Sequence, residues 1–273
     1  MKECPDMLET LIKFQKNDII SIVGSGGKTS LMFHLARLFS ERLGHHTPSH
    51  KILITTTTKI MLPKKQDYEF IQIGTDNIES FLSSTQKGRF VLGKRVDKTN
   101  LSSSEISCLY ESKLIGFEPE KLSNYIKYFD LCLIESDGSK GKNLKGWNET
   151  EPVIVPETTK TIGVINLKLI GQYPDEQNIF RLEHFKRLLS SPLESVVTAS
   201  HIKDVILHEK GLFKNAVGYK ILFINQADDK IQADLARSFL EGFTETQLNA
   251  FQTIIIGSIK QDRFILYKGL LKY

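Results

Sequence analysis

The chain has 273 residues and a formal net charge of +4, from 36 Lys and Arg against 32 Asp and Glu, long enough to bury the core of one α/β domain. The basic excess is slight and scattered, which argues against a nucleic-acid partner. No apolar run reaches membrane length, and Lys2, Glu3 and Asp6 stand where a secretory apolar stretch would begin, so a cytoplasmic protein without membrane contact is expected.

The first element is a strand, Ile19 to Val23, followed by Gly24-Ser25-Gly26-Gly27-Lys28-Thr29-Ser30 and then by a helical pattern, Leu31, Met32, Leu35, Leu38 and Phe39, running to about Leu43. A strand, a glycine loop and a helix N-terminus hold a phosphate chain for physical reasons. Glycines let backbone N–H groups turn inward, and the helix dipole adds positive potential. Lys28 supplies a point charge for the outer phosphates, and the Thr29 hydroxyl is a ligand for Mg²⁺. The spacing is G-x-x-G-K-T-S, shorter than the common loop, which would need a glycine at Ile22; it resembles the P-loop of Mur-type ligases.

Residues 44–50, with His45, His46 and His50, read as a surface loop without metal-ligand spacing. A second strand, Lys51 to Thr55, runs into Thr56-Thr57-Thr58-Lys59, with Pro63 beyond. One of these hydroxyls or carbonyls is a candidate γ-phosphate sensor, and a β-favouring strand end explains the threonines equally well. Shorter pieces follow in an excursion over about 60–128: Phe70 to Ile73, a helix near Asn77 to Ser83, a strand from Phe90 to Gly93, and an amphipathic helix from Pro119 to Tyr128. Cys4, Cys108 and Cys132 lie far apart and imply neither a disulfide framework nor a zinc site.

Leu131-Cys132-Leu133-Ile134 is apolar at every position, as a central parallel strand covered on both faces should be. It ends in Glu135-Ser136-Asp137-Gly138, at the sheet edge where ligands bind, so Glu135 and Asp137 are placed to reach Mg²⁺ at the phosphate loop. The cluster Lys140, Lys142 and Lys145 is suited to neutralise transferred phosphate charge or to bind an anionic pterin phosphate, and a solvated basic loop accounts for it as well. Trp147 either packs on a flat ligand or closes the loop.

The second half alternates strands (Thr161 to Ile165, Ile221 to Ile224, Thr253 to Ile256) with helices (Phe180 to Leu189, Ala199 to His208, Ile231 to Leu240), and Arg263 to Tyr267 reads as an edge strand. This order predicts a doubly wound, mostly parallel α/β sheet of P-loop NTPase type, in one domain spanning 1–273. The strand at 221–224 ends in Asn225-Gln226-Ala227-Asp228, where GTP-binding P-loop proteins carry N-K-x-D. There the Asp accepts from guanine, and the Asn orders the neighbouring loop. Gln226 stands in place of the Lys whose stem packs on the base, and Asn and Asp are also ordinary helix-start residues.

Together the string Gly24 to Ser30, the run Thr55 to Ile60 with Pro63, Asp137-Gly138-Ser139-Lys140-Gly141 continuing to Lys145, Glu151-Pro152-Val153-Ile154, and Leu207-His208 to Phe213 before Asn225 resemble the YqeC family across nearly the whole chain. That family is described as accessory to selenium-dependent molybdenum hydroxylases. The resemblance implies a part in maturing such an enzyme or its cofactor, with the hydroxylase or its pterin as partner.

The expected function is therefore an Mg²⁺-dependent GTP- or ATP-binding protein, with GTP hydrolysis timing a maturation step. Lys28, Asp137 and Lys140 would carry the chemistry. Gly24 to Ser30 with Asn225 and Asp228 would bind nucleotide, and Thr29, Glu135 and Asp137 would hold the metal. An ATP-dependent ligase or nucleotidyl or phosphoryl transferase, and a nucleotide-gated chaperone or scaffold, are the rivals.

Overall fold

The computed structural model describes residues 8–41, 50–99 and 111–269. Cys4, Cys108, His45, His46 and the end of the first expected helix lie outside them.

The described chain runs α1 (Leu8–Leu11), β1 (Asp18–Gly24), α2 (Lys28–Glu41), β2 (Lys51–Thr56), β3 (Lys59–Met61), β4 (Phe70–Ile73), α3 (Ile78–Ser83), β5 (Gly88–Gly93), β6 (Arg95–Thr99), β7 (Glu111–Ile115), α4 (Pro119–Ile126) and β8 (Leu131–Glu135). It continues with β9 (Leu144–Lys145), β10 (Lys160–Ile165), β11 (Ile179–Phe180), α5 (Leu182–Lys186), α6 (Ala199–Leu207), β12 (Tyr219–Ile224), α7 (Lys230–Glu241), α8 (Glu245–Asn249), β13 (Thr253–Ser258) and β14 (Arg263–Lys268). Among the described residues no helix is long and apolar enough to cross a membrane.

Nine of these strands form one sheet in the order β14-β13-β12-β10-β1-β8-β2-β5-β4. All pairs are parallel except the β13–β14 edge. The doubly wound α/β class expected from the alternation of strands and helices is the observed one. Alternation within the strands explains the layers. Ile20 and Ile22 of β1, Leu131 and Leu133 of β8 and Ile162 and Val164 of β10 face α2, which answers with Leu31, Met32, Leu35 and Phe39. The other face divides. Cys132 and Ile134 of β8 pack with Leu122 and Ile126 of α4, whereas Val23 and Ile165 meet Ile202 and Val205 of α6 and Ala236 and Leu240 of α7. Burial of both faces is what an all-apolar parallel strand requires.

Part of the segment expected as an excursion belongs to the main sheet, since β5 and β4 continue it beyond β2. The remainder is a separate three-stranded antiparallel sheet, β3-β7-β6. Its Ile60 and Leu114 are buried in the α2-side core, with Val96 packed against it. The opposite alternation places Lys59, Met61, Arg95, Asp97, Lys113 and Ile115 together on the other face. The expected helix at Phe180 to Leu189 is shorter, because Ile179 and Phe180 pair with Leu144 and Lys145 before α5 begins.

Candidate functional site

The carboxyl ends of β1, β2, β8 and β12 surround a cleft of about 540 Å³. Gly26 to Ser30 form its floor, and Lys59 to Met61 with Lys113 form one wall. Glu135, Ser139 to Gly141, Asn143 and Gln226 complete it.

The floor has a glycine loop because nothing larger fits. Gly24 has φ +103°, and a Cβ there would lie 2.1 Å from the Val164 carbonyl oxygen. Gly26 has φ +79°, and its Cβ would lie 2.2 Å from Asn166 Nδ2, on a residue that is itself buried. The Gly26 carbonyl accepts from Asn225 Nδ2 at 2.8 Å and from Gln226 Nε2 at 3.2 Å, so the end of β12 pins the loop. Ser25 Oγ donates to the Asn143 carbonyl at 2.9 Å and turns inward, whereas Ser30 is exposed at the cleft.

Lys28 opens α2 with only 3 % exposure. Its ammonium donates to the Gly24 carbonyl at 2.8 Å and stands 3.4 Å from Glu135 and 3.3 Å from Asp137. Burial alone would lower its pKa, but Asp137 and Glu135 outweigh that and raise it. Thr29 Oγ1 donates to Glu135 Oε2 at 2.6 Å. Glu135 lines the cleft and is raised above the ordinary carboxylate value because burial outweighs Lys28 and Thr29. A hydroxyl and one carboxylate side by side at a glycine loop could hold Mg²⁺, which keeps several waters and substrate oxygens and rarely takes an all-protein cage. No cluster of three or more His, Cys, Asp or Glu side chains suited to a metal occurs among the described residues.

Asp137 sits differently from the expectation. It does not line the cleft, and its carboxylate is taken from all sides. The Gly24 N–H donates to both oxygens at 3.1 and 3.0 Å, Lys145 Nζ to Oδ2 at 3.0 Å and Trp147 Nε1 to Oδ2 at 2.7 Å. Burial would push Asp137 up, but Lys145, Lys28 and the Gly24 N–H hold it below the ordinary carboxylate value. Asp137 therefore ties the first glycine of the loop to the segment after β8.

The basic cluster separates in the same way. Lys145 is fully buried between Asp137 and Glu151, and Glu151 in turn takes Arg181 at 2.7 and 3.2 Å. Only Lys140 reaches the cleft from an exposed position, while Lys142 bonds the Glu176 carbonyl. Trp147 is buried and closes the loop. The threonine hydroxyls are likewise engaged within the protein. Thr55 donates to the Leu92 carbonyl, Thr56 to that of Glu135 and Thr57 to that of Val153, which fastens the strand end.

Beyond Gln226 a second pocket of about 370 Å³ abuts the first, lined by Leu167, Lys168, Ile170, Ala227, Gln232 and Leu235 with Asn225 and Gln226. Gln226 adopts φ +66°, and its Oε1, like Asn225 Oδ1, is a buried acceptor without a donor. Asp228 is half-buried and accepts from Ser258 Oγ at 2.6 Å through Oδ1. Lys113 carries no signal in the sequence, and Lys59 stands there only as the end of the threonine run, because their short strands have too little apolar periodicity to mark a sheet.

A protein from Escherichia coli (strain K12), described as uncharacterized protein YqeC, is 27 % identical over 247 residues, covering 89 % of this chain and 88 % of that protein. No solved structure matches the chain. The family model described as YqeC protein matches residues 20–183, a span that includes the glycine loop, the Asp137 clamp and Arg181. The chain belongs to the YqeC family.

Proposed function

We propose that this protein binds a magnesium nucleoside triphosphate at the Gly24–Ser30 loop and hydrolyses it, with a preference for GTP. The observation that carries the reading is the Lys28–Thr29–Glu135 constellation: a buried ammonium at the glycine loop, and a hydroxyl 2.6 Å from a carboxylate at the end of the adjacent strand. The loop amides and Lys28 would take the outer phosphates, with Lys28 leaving the Gly24 carbonyl to do so. Thr29 and Glu135 would hold Mg²⁺, which supplies charge neutralisation on the phosphate oxygens when bound. Asp137 serves this site as the residue that positions Gly24 and Lys28. Lys140 reaches the same cleft and is suited to stabilise charge on the terminal phosphate.

The guanine preference rests on acceptors. Asn225 Oδ1 and Gln226 Oε1 are buried without donors, and Asp228 accepts only through Oδ1 among the described contacts. Guanine presents N–H donors on the edge an Asp would read, and an unmatched polar edge discriminates strongly. A role in maturing a selenium-dependent molybdenum hydroxylase or its pterin cofactor rests on the family resemblance alone.

The test is competition binding of GTP, ATP and CTP with Mg²⁺, followed by phosphate and pyrophosphate release. The proposal expects GTP to outcompete ATP and orthophosphate to be the product. Equal affinity for ATP and GTP, unmoved by Asp228→Asn, would remove the guanine assignment. Release of pyrophosphate would replace hydrolysis with nucleotidyl transfer.

A further inference from the structure

Across the cleft from the glycine loop, the outer face of the β3-β7-β6 sheet carries Lys59, Arg95, Lys113 and Asp97. Asp97 is already taken by Lys59 at 3.0 Å and Arg95 at 3.2 Å. Lys113 stands opposite Asp97 in register and lines the cleft. Lys59 and Lys113 line the cleft together with Lys28 and Lys140, four ammonium groups against the single carboxylate Glu135 among its described lining residues. Like charges gathered on one face repel, so the arrangement favours an anion between them. The wall hangs from the residue after Thr58, so it is fastened to the β2 end rather than to the nucleotide loop.

We propose that Lys59 and Lys113 form a second subsite, beside the terminal-phosphate position, for a small molecule bearing a phosphate group. A phosphate monoester carries about −1.5 to −2 charge near neutral pH, which suits the ammonium groups gathered around the cleft. Lysines without a free guanidinium fork suit a phosphate held as a point charge. The inference rests on the triphosphate reading of the loop, because it assigns the wall to a second ligand and leaves the nucleotide to the floor.

Inorganic phosphate is titrated by calorimetry into the full chain saturated with Mg²⁺ and a non-hydrolysable GTP analogue, using wild type, Lys113→Ala, Lys59→Ala and Lys28→Ala. Lys113 and Lys59 are on a partly exposed face, so these variants should fold, and thermal unfolding checks that they do. The expected result is one phosphate bound per chain with the analogue present, weakened about tenfold or more by Lys113→Ala and restored by Lys113→Arg, while analogue affinity changes less than about twofold. Lys28→Ala should do the reverse. No phosphate binding beside the analogue, or equal weakening of analogue and phosphate by Lys113→Ala, would overturn the second subsite and give the wall to the triphosphate itself. Should wild type fail to bind the analogue, the triphosphate reading fails. Phosphate titrated into the nucleotide-free chain then decides the wall separately, by whether Lys113→Ala weakens it and Lys28→Ala does not.

Discussion

Asp137→Asn separates a metal ligand from a structural clamp. In the native chain this carboxylate receives the Gly24 N–H, the Lys145 ammonium and the Trp147 indole N–H, with Lys28 at 3.3 Å, all inside the protein. The amide keeps the shape but removes the charge, and its NH₂ can only meet donors. Lys145 would retain Glu151, and Lys28 would retain Glu135, so each cation loses one of two carboxylates. Removing one partner of a buried ion pair typically costs about 3–5 kcal/mol. At roughly 2–4 °C per kcal/mol for a chain of this size, the melting temperature should fall by roughly 6–20 °C. Circular dichroism on heating reads that shift, and a magnesium titration of nucleotide binding on the same variant reads any metal effect. A variant that melts with wild type while its magnesium requirement rises would refute the clamp and return Asp137 to the metal.

Glu135→Gln should raise the magnesium needed for nucleotide binding with a smaller loss of melting temperature than Asp137→Asn, because burial holds Glu135 above the ordinary carboxylate value whereas its partners hold Asp137 below it; the same titration and melt read both. Gly24→Ala should destabilise the chain by roughly 1–3 kcal/mol and abolish triphosphate binding, because φ +103° and a backbone oxygen 2.1 Å away leave no room for a methyl group; chemical denaturation with binding measures both. Asn225→Ala removes the 2.8 Å bond to the Gly26 carbonyl and should weaken nucleotide binding by about 0.5–1.5 kcal/mol in calorimetry. Glu151 is held below its ordinary value of 4.5 because Arg181 and Lys145 outweigh its burial, so its contribution is fully present above about pH 4.5 and lost as pH falls through the lower folded value. The melting-temperature gap between wild type and Glu151→Gln should therefore close on acidification below pH 4.5, and a gap that widens would contradict the pairing.

Much of this arrangement was legible in the residues. The all-apolar run at 131–134 and the run at 19–23, interrupted only by Ser21, announced central strands, and a glycine loop before Lys28 and Thr29 announced the helix start. Thr198 caps α6 by accepting from the His201 N–H, the usual role of a threonine directly before a helix. The β3-β7-β6 sheet was not legible, because residues such as Lys59-Ile60-Met61 bury one side chain each and carry charges on the other face. Nor was the fate of Asp137. Its sequence neighbours Gly138, Ser139 and Lys140 read as a polar turn, whereas the groups that claim it, Gly24, Lys145 and Trp147, are brought to it by tertiary packing. Lys145 shows the same limit: a basic residue in a basic cluster is fully buried because two carboxylates meet it there.

If Lys28 and its loop bind the outer phosphates of a nucleoside triphosphate, as proposed, calorimetric titration of GTP with Mg²⁺ into wild type and a folded Lys28→Ala chain will show it. Lys28→Ala should weaken triphosphate binding by about 1.5–3 kcal/mol and diphosphate binding by less. Triphosphate affinity unchanged by Lys28→Ala would contradict it.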